Sequence, residues 1–64
     1  MTNRIRVLRA ERDWTQAELA ERVSVSRQAI IAIEKGKYEP GLSLAMRIAR
    51  AFGQCVEDVF TMEE

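Results

Sequence analysis

Apolar residues recur at spacings of three and four along the whole chain, and Val, Ile and Thr nowhere alternate with polar residues over the length of a strand. The pattern predicts helices only. Ile5 and Leu8 fall one turn apart in a first helix over about Asn3 to Arg12, which ends near Asp13, a residue type that tolerates the left-handed region. Trp14 then enters the core as the chain turns. Thr15-Gln16-Ala17-Glu18 forms a capping box, the threonine hydroxyl accepting from the glutamate amide and the glutamate reaching back to the threonine amide, so a second helix starts there. It carries Leu19, Ala20 and Val23 inward and stops near Ser24-Val25. Ser26 caps a third helix over about Arg27 to Lys35, which buries Ile30 and Ile33 and closes at Gly36.

Pro40 disfavours helix at Glu39, so residues 37–41 read as a loop with Gly41 as the next N-cap. Leu44, Ala45, Ile48, Ala49 and Phe52 make a broad apolar stripe suited to a central fourth helix ended by Gly53. Val56, Val59 and Phe60 mark a short fifth helix over about 56–60. The expected fold class is all-α: a compact five-helix arrangement in a single domain spanning residues 1–64.

Composition removes most chemistry. The chain has no histidine and one cysteine, Cys55, so it can build neither an internal disulfide, nor a Cys/His metal site, nor a Ser-His or Cys-His nucleophile. There is no glycine-rich phosphate loop. No metal, cofactor, small-molecule ligand or enzymatic activity is expected. A domain of 64 residues buries only about 60% of its unfolded surface, which leaves oligomerisation as the expected reinforcement. No apolar run approaches the ~18 residues of a membrane span, and the four arginines of the first twelve residues are not followed by the apolar block of a signal peptide. No membrane association and a cytoplasmic location are therefore expected.

Ten bases balance ten acids, but Glu57, Asp58, Glu63 and Glu64 all lie in residues 57–64, which hold no base. Residues 1–56 thus carry ten bases against six acids, a net of +4, and an acidic end can face away from an anionic partner that the remainder faces.

The second and third helices, joined by a turn of about three residues and followed by a basic loop, form a helix-turn-helix over about 16–35, a unit able to place one helix in a DNA major groove. Its steric requirements are met together. Ala20 is small where the helices approach, Val25 plugs the turn, and Ile30 and Ile33 seat the later helix on the earlier one.

Through Thr15-Gln16-Ala17-Glu18-Leu19-Ala20, Ser26-Arg27-Gln28-Ala29-Ile30 and Ile33-Glu34-Lys35-Gly36-Lys37, the sequence resembles the Xre-type family of phage-repressor and Cro-like helix-turn-helix proteins. The resemblance extends over nearly the whole chain. It implies a five-helix domain that binds double-stranded DNA sequence-specifically, recognition of a roughly palindromic operator as a homodimer, and regulation of transcription, as repressor or activator. Ser24 departs from the glycine usual in the family's turn, which predicts either local strain at positive φ on the order of 1 kcal/mol or a slightly altered turn, within the same fold. Cys55 stands where a Ser or Thr N-cap is common.

The resemblance also assigns roles. Arg27 and Gln28, opening the third helix, are similar to the family's base-reading positions, arginine suiting guanine and glutamine suiting adenine by paired hydrogen bonds. Ile31 either packs on a thymine methyl or fills a core edge. Gln16 looks like a phosphate contact, joined by Ser26, Lys35, Lys37 and Tyr38. Arg9 and Glu34 are similar to a partly buried ion pair that ties the first helix to the end of the third. Phe52, Val56, Val59, Phe60 and Met62 are more large apolar residues than a short terminal helix is expected to bury on its own domain, which points to a two-fold interface there. An alternative is an antitoxin-like protein-interaction module in which DNA binding is secondary.

Overall fold

In a computed structural model that describes residues 1–62, the chain forms α1 (Ile5–Glu11), α2 (Gln16–Arg22), α3 (Arg27–Glu34), α4 (Leu42–Phe52) and α5 (Val56–Val59), with β1 (Thr2–Asn3) and β2 (Phe60–Thr61) at its ends. Glu63 and Glu64, half of the acidic end noted above, lie outside the described residues.

The first four helices end by one device. A residue one or two positions past each takes the left-handed conformation: Asp13 at φ 56°, Ser24 at 60°, Gly36 at 73° and Gly53 at 67°. In each case two amides turn back onto the last carbonyls of the helix. After α2, Ser24 N–H donates to Glu21 O at 3.3 Å and Val25 N–H to Ala20 O at 3.0 Å; after α3, Gly36 donates to Ile33 O and Lys37 to Ala32 O, both at 3.0 Å. The pattern satisfies carbonyls that a helix end would otherwise leave unpaired, and it reverses the chain within two residues. Ser24 therefore adopts the conformation a glycine would, and the turn keeps its geometry.

Helix starts are equally local. Glu18 N–H donates to Thr15 Oγ1 at 3.0 Å and Thr15 N–H to Glu18 Oε1 at 3.2 Å, while Ala29 N–H donates to Ser26 Oγ at 3.2 Å. Cys55 N–H donates to the Asp58 carboxylate at 3.3 Å, which holds the first turn of α5.

Two readings need correction. The all-α class with five helices holds, but not every element is a helix: β1 and β2 pair antiparallel, Thr2 opposite Thr61 and Asn3 opposite Phe60. Strands of two residues are too short to show a period of two, so sequence carried no sign of them. In consequence α1 begins at Ile5, not Asn3, and Phe60 is extended, not helical. Asn3 uses its side chain instead, Oδ1 accepting from Ile5 N–H at 3.2 Å and Nδ2 donating to Ile33 O at 2.9 Å. One amide thus joins the start of α1 to the end of α3.

The second correction concerns the proposed partner surface. Phe52, Val59 and Phe60 are buried within the chain's own core, because α5 packs on α4 and the β pair folds the N-terminal segment against β2. The chain's own elements cover these three side chains, so they leave little surface for a second copy. Of the five residues expected there, only Met62 is fully exposed and Val56 partly so.

Ile5, Leu19, Val23, Ile30, Ile33, Ile48 and Val59 form the inaccessible centre. Around it, arginines serve as structure. Arg12 donates to Leu8 O at 3.0 Å and to Phe52 O, and Arg47 donates to Val23 O at 2.9 Å, so three carbonyls in the last turns of α1, α4 and α2 gain charged donors. Trp14 stacks on Phe52 with ring centroids 5.5 Å apart, and the Arg22 guanidinium lies 4.1 Å from the Trp14 centroid.

Candidate nucleic-acid interface

Helix α3 rests on α2 through Ile30 and Ile33, both buried, and the sharp turn at Ser24 presents its first residues to solvent. Arg27 and Gln28 are exposed at that leading end. Arg27, Ile31 and Lys35 follow at intervals of four and so share one face of α3. The start of α2 lies alongside. A shallow groove is lined by Arg9, Thr15, Gln16, Ala17 and Arg27, and a second by Arg6, Arg9, Gln16, Ile31, Glu34 and Lys35. Gln16 belongs to both, so the two grooves form one ledge running from the first turn of α2 along α3.

Arg9 and Glu34 make the floor of this ledge. Arg9 Nε meets Glu34 Oε2 at 2.6 Å and Nη2 meets Oε1 at 3.1 Å, a two-point contact with 14% and 9% of the side chains accessible. Arg9 Nη1 donates to Trp14 O at 2.9 Å. The one carboxylate in the ledge is thereby matched by an arginine, and Arg6, Arg27 and Lys35 remain as cations along it.

The remaining residues singled out in the sequence sort as follows. Gln16 is half-buried, and its Nε2 donates to Glu34 Oε1 at 3.2 Å, so part of its donor capacity is already used. Ser26 is exposed, with its hydroxyl oxygen accepting from Ala29 N–H. Lys37 and Tyr38 stand exposed in the loop after α3. Ile31 is half-buried against the ledge, neither in the core centre nor free in solvent.

Arg6, Thr15 and Ala17 line the ledge but were not singled out from sequence. For Arg6 a signal was present: it precedes Arg9 by three residues on α1, so once Arg9 is placed on Glu34, Arg6 comes beside the end of α3. Among the described residues no group of three or more His, Cys, Asp or Glu could hold a metal, and no helix is long and apolar enough to cross a membrane.

Comparison with known proteins accords with this geometry. A helix-turn-helix family model matches residues 5–55. The chain is 52% identical over 64 residues to an uncharacterised HTH-type transcriptional regulator of Methanocaldococcus jannaschii, covering 100% of this chain and 97% of that protein. It is 42% identical over 50 residues to an immunity repressor protein of Bacillus phage phi105, covering 78% of this chain and 35% of the repressor. Among solved structures, a hypothetical transcription factor from Neisseria superposes with a TM-score of 0.79 at 28% identity; the match covers 84% of this chain and 61% of that one, so the chain spans about three fifths of its length.

Proposed function

Given that the chain belongs to the helix-turn-helix family of DNA-binding transcriptional regulators, we propose that it binds a roughly palindromic operator as a homodimer, each protomer laying α3 in a major groove. The family is one of regulators and not of enzymes. The observation that carries the proposal is the exposure of Arg27 and Gln28 at the solvent end of α3, directly beside a ledge whose only carboxylate is paired with Arg9.

In this reading Arg27 and Gln28 read base edges, each by two hydrogen bonds, and Ile31 packs on a thymine methyl. Gln16, Ser26, Lys35, Lys37 and Tyr38 meet phosphates on either side and set the register. A second copy docks at the C-terminal end, where Val56 and Met62 remain accessible, and two half-sites lie about 34 Å apart, one turn of duplex. Occupancy of a promoter then blocks transcription, a role supported by the similarity to a phage immunity repressor. The described residues supply one DNA-binding unit, and its work lies in the cytoplasm.

Selection of bound duplexes from a random pool, with the natural protein and with Arg27→Ala, tests this. The expected result is a two-fold-symmetric motif whose preference disappears at one base per half-site in the variant. A pool without enrichment at low ionic strength, or a motif unchanged by Arg27→Ala, would contradict it.

A further inference from the structure

The ion pair in the floor of the ledge has a third member. Glu34 Oε1 accepts from Arg9 Nη2 at 3.1 Å and also from Gln16 Nε2 at 3.2 Å. A carboxylate can only accept, so this contact fixes the orientation of the Gln16 amide: its nitrogen, never its oxygen, faces Glu34. Glu34 is itself held at both oxygens by the planar fork of Arg9, and Arg9 is anchored to the backbone at Trp14 O. Residues of α1, α2 and α3 thus meet in one chain of charge-assisted hydrogen bonds that ends at a side chain on the exposed ledge.

We infer that Glu34 is a positioning residue for DNA binding: it uses one Nε2 proton of Gln16 to hold the amide in place, leaving the other for a phosphate over the ledge. The inference rests on the reading of Gln16 as a phosphate contact. A free glutamine at the start of a helix would be ordered only on binding, whereas here folding has already ordered it, which is the general advantage of preorganisation. Arg9 makes the arrangement compatible with DNA. Without that guanidinium, Glu34 would present a bare negative charge beneath the phosphate it helps to place. The pair therefore does two things: it ties α3 to α1 and it orients the donor beside α3.

A double-mutant cycle on DNA affinity separates orientation from stability. Affinity for a selected duplex is measured for the natural protein, Gln16→Ala, Glu34→Ala and the double variant, at a temperature where Trp14 fluorescence shows each to be folded. Gln16→Ala should weaken binding about tenfold in the natural background, the scale of a hydrogen bond to a charged group, and less than twofold when Glu34 is already alanine. If Glu34 only stabilises the fold, its loss scales both affinities equally, the Gln16→Ala ratio stays near tenfold, and the inference is overturned. If Gln16→Ala leaves binding by the natural protein unchanged, the phosphate reading of Gln16 fails first, and the inference fails with it. Should Glu34→Ala fail to fold, Arg9→Met with Glu34→Leu removes the same acceptor while replacing the pair with apolar residues, a change often neutral for stability, and the same ratios apply.

Discussion

Arg9 Nε stands 2.6 Å from Glu34 Oε2 across the seam between α1 and the last turn of α3, with little of either side chain in contact with water. Removing one partner leaves the other charge poorly solvated and without its counter-charge, with only Trp14 O left to Arg9 or Gln16 Nε2 left to Glu34. Glu34→Ala or Arg9→Met alone should cost about 3 kcal/mol of folding free energy, against the roughly 0–1 kcal/mol typical of an exposed pair. Urea denaturation followed by Trp14 fluorescence measures this as a lower midpoint at unchanged slope.

Ser24 holds φ at 60° without being glycine, and its amide and that of Val25 close the end of α2. Glycine adopts that conformation without steric cost, although it also gains more freedom in the unfolded chain. Ser24→Gly should therefore stabilise the protein by about 0.5–1 kcal/mol and leave DNA affinity unchanged, as read by thermal denaturation and duplex titration. A loss of stability would mean the hydroxyl contributes something the backbone geometry does not reveal.

Arg6 and Arg22 are both surface arginines but occupy different settings. Arg6 lines the ledge, whereas Arg22 lies over the Trp14 ring. If the ledge meets phosphate, Arg6→Ala should lower the slope of log affinity against log salt by about 0.9, one phosphate contact. Arg22→Ala should leave that slope alone and cost about 0.5–1 kcal/mol of stability through the lost ring contact.

Asn3 links Ile5 N–H to Ile33 O through one side-chain amide. Asn3→Ala should cost about 1–2 kcal/mol, two hydrogen bonds of ordinary net worth. Amide hydrogen exchange should show the loss as faster opening at β1, β2 and the start of α1, with α2 retaining its protection.

Sequence revealed most where structure depends on near neighbours. The Thr15–Glu18 box, the Ser26 cap and the left-handed positions at Asp13, Gly36 and Gly53 are decided within four or five residues, and each was legible there. The buried faces of α3 and α4 were legible for the same reason, since helical periodicity marks them directly. What long-range packing decides was hidden. The pairing of Thr2–Asn3 with Phe60–Thr61 joins the two ends of the described chain and leaves no periodic trace, and it is this pairing that helps to cover Phe60. Counting apolar residues near α5 could not show that α4 and the N-terminal segment already cover Val59 and Phe60, or that Trp14 stacks on Phe52. The partner of Gln16 was hidden too, because Glu34 is eighteen residues away and comes near only when α3 folds back.

In the proposed complex, DNA meets the ledge formed by the start of α2 and the outer face of α3. Titration of 15N-labelled protein with a selected duplex, observed by NMR, locates the bound surface residue by residue. The largest amide shifts should fall at Gln16 and Ala17, at Arg27, Gln28 and Ile31, and from Lys35 to Tyr38. Shifts concentrated instead on the exposed face of α4 around Leu42 and Met46, with Arg27 and Gln28 unmoved, would contradict it.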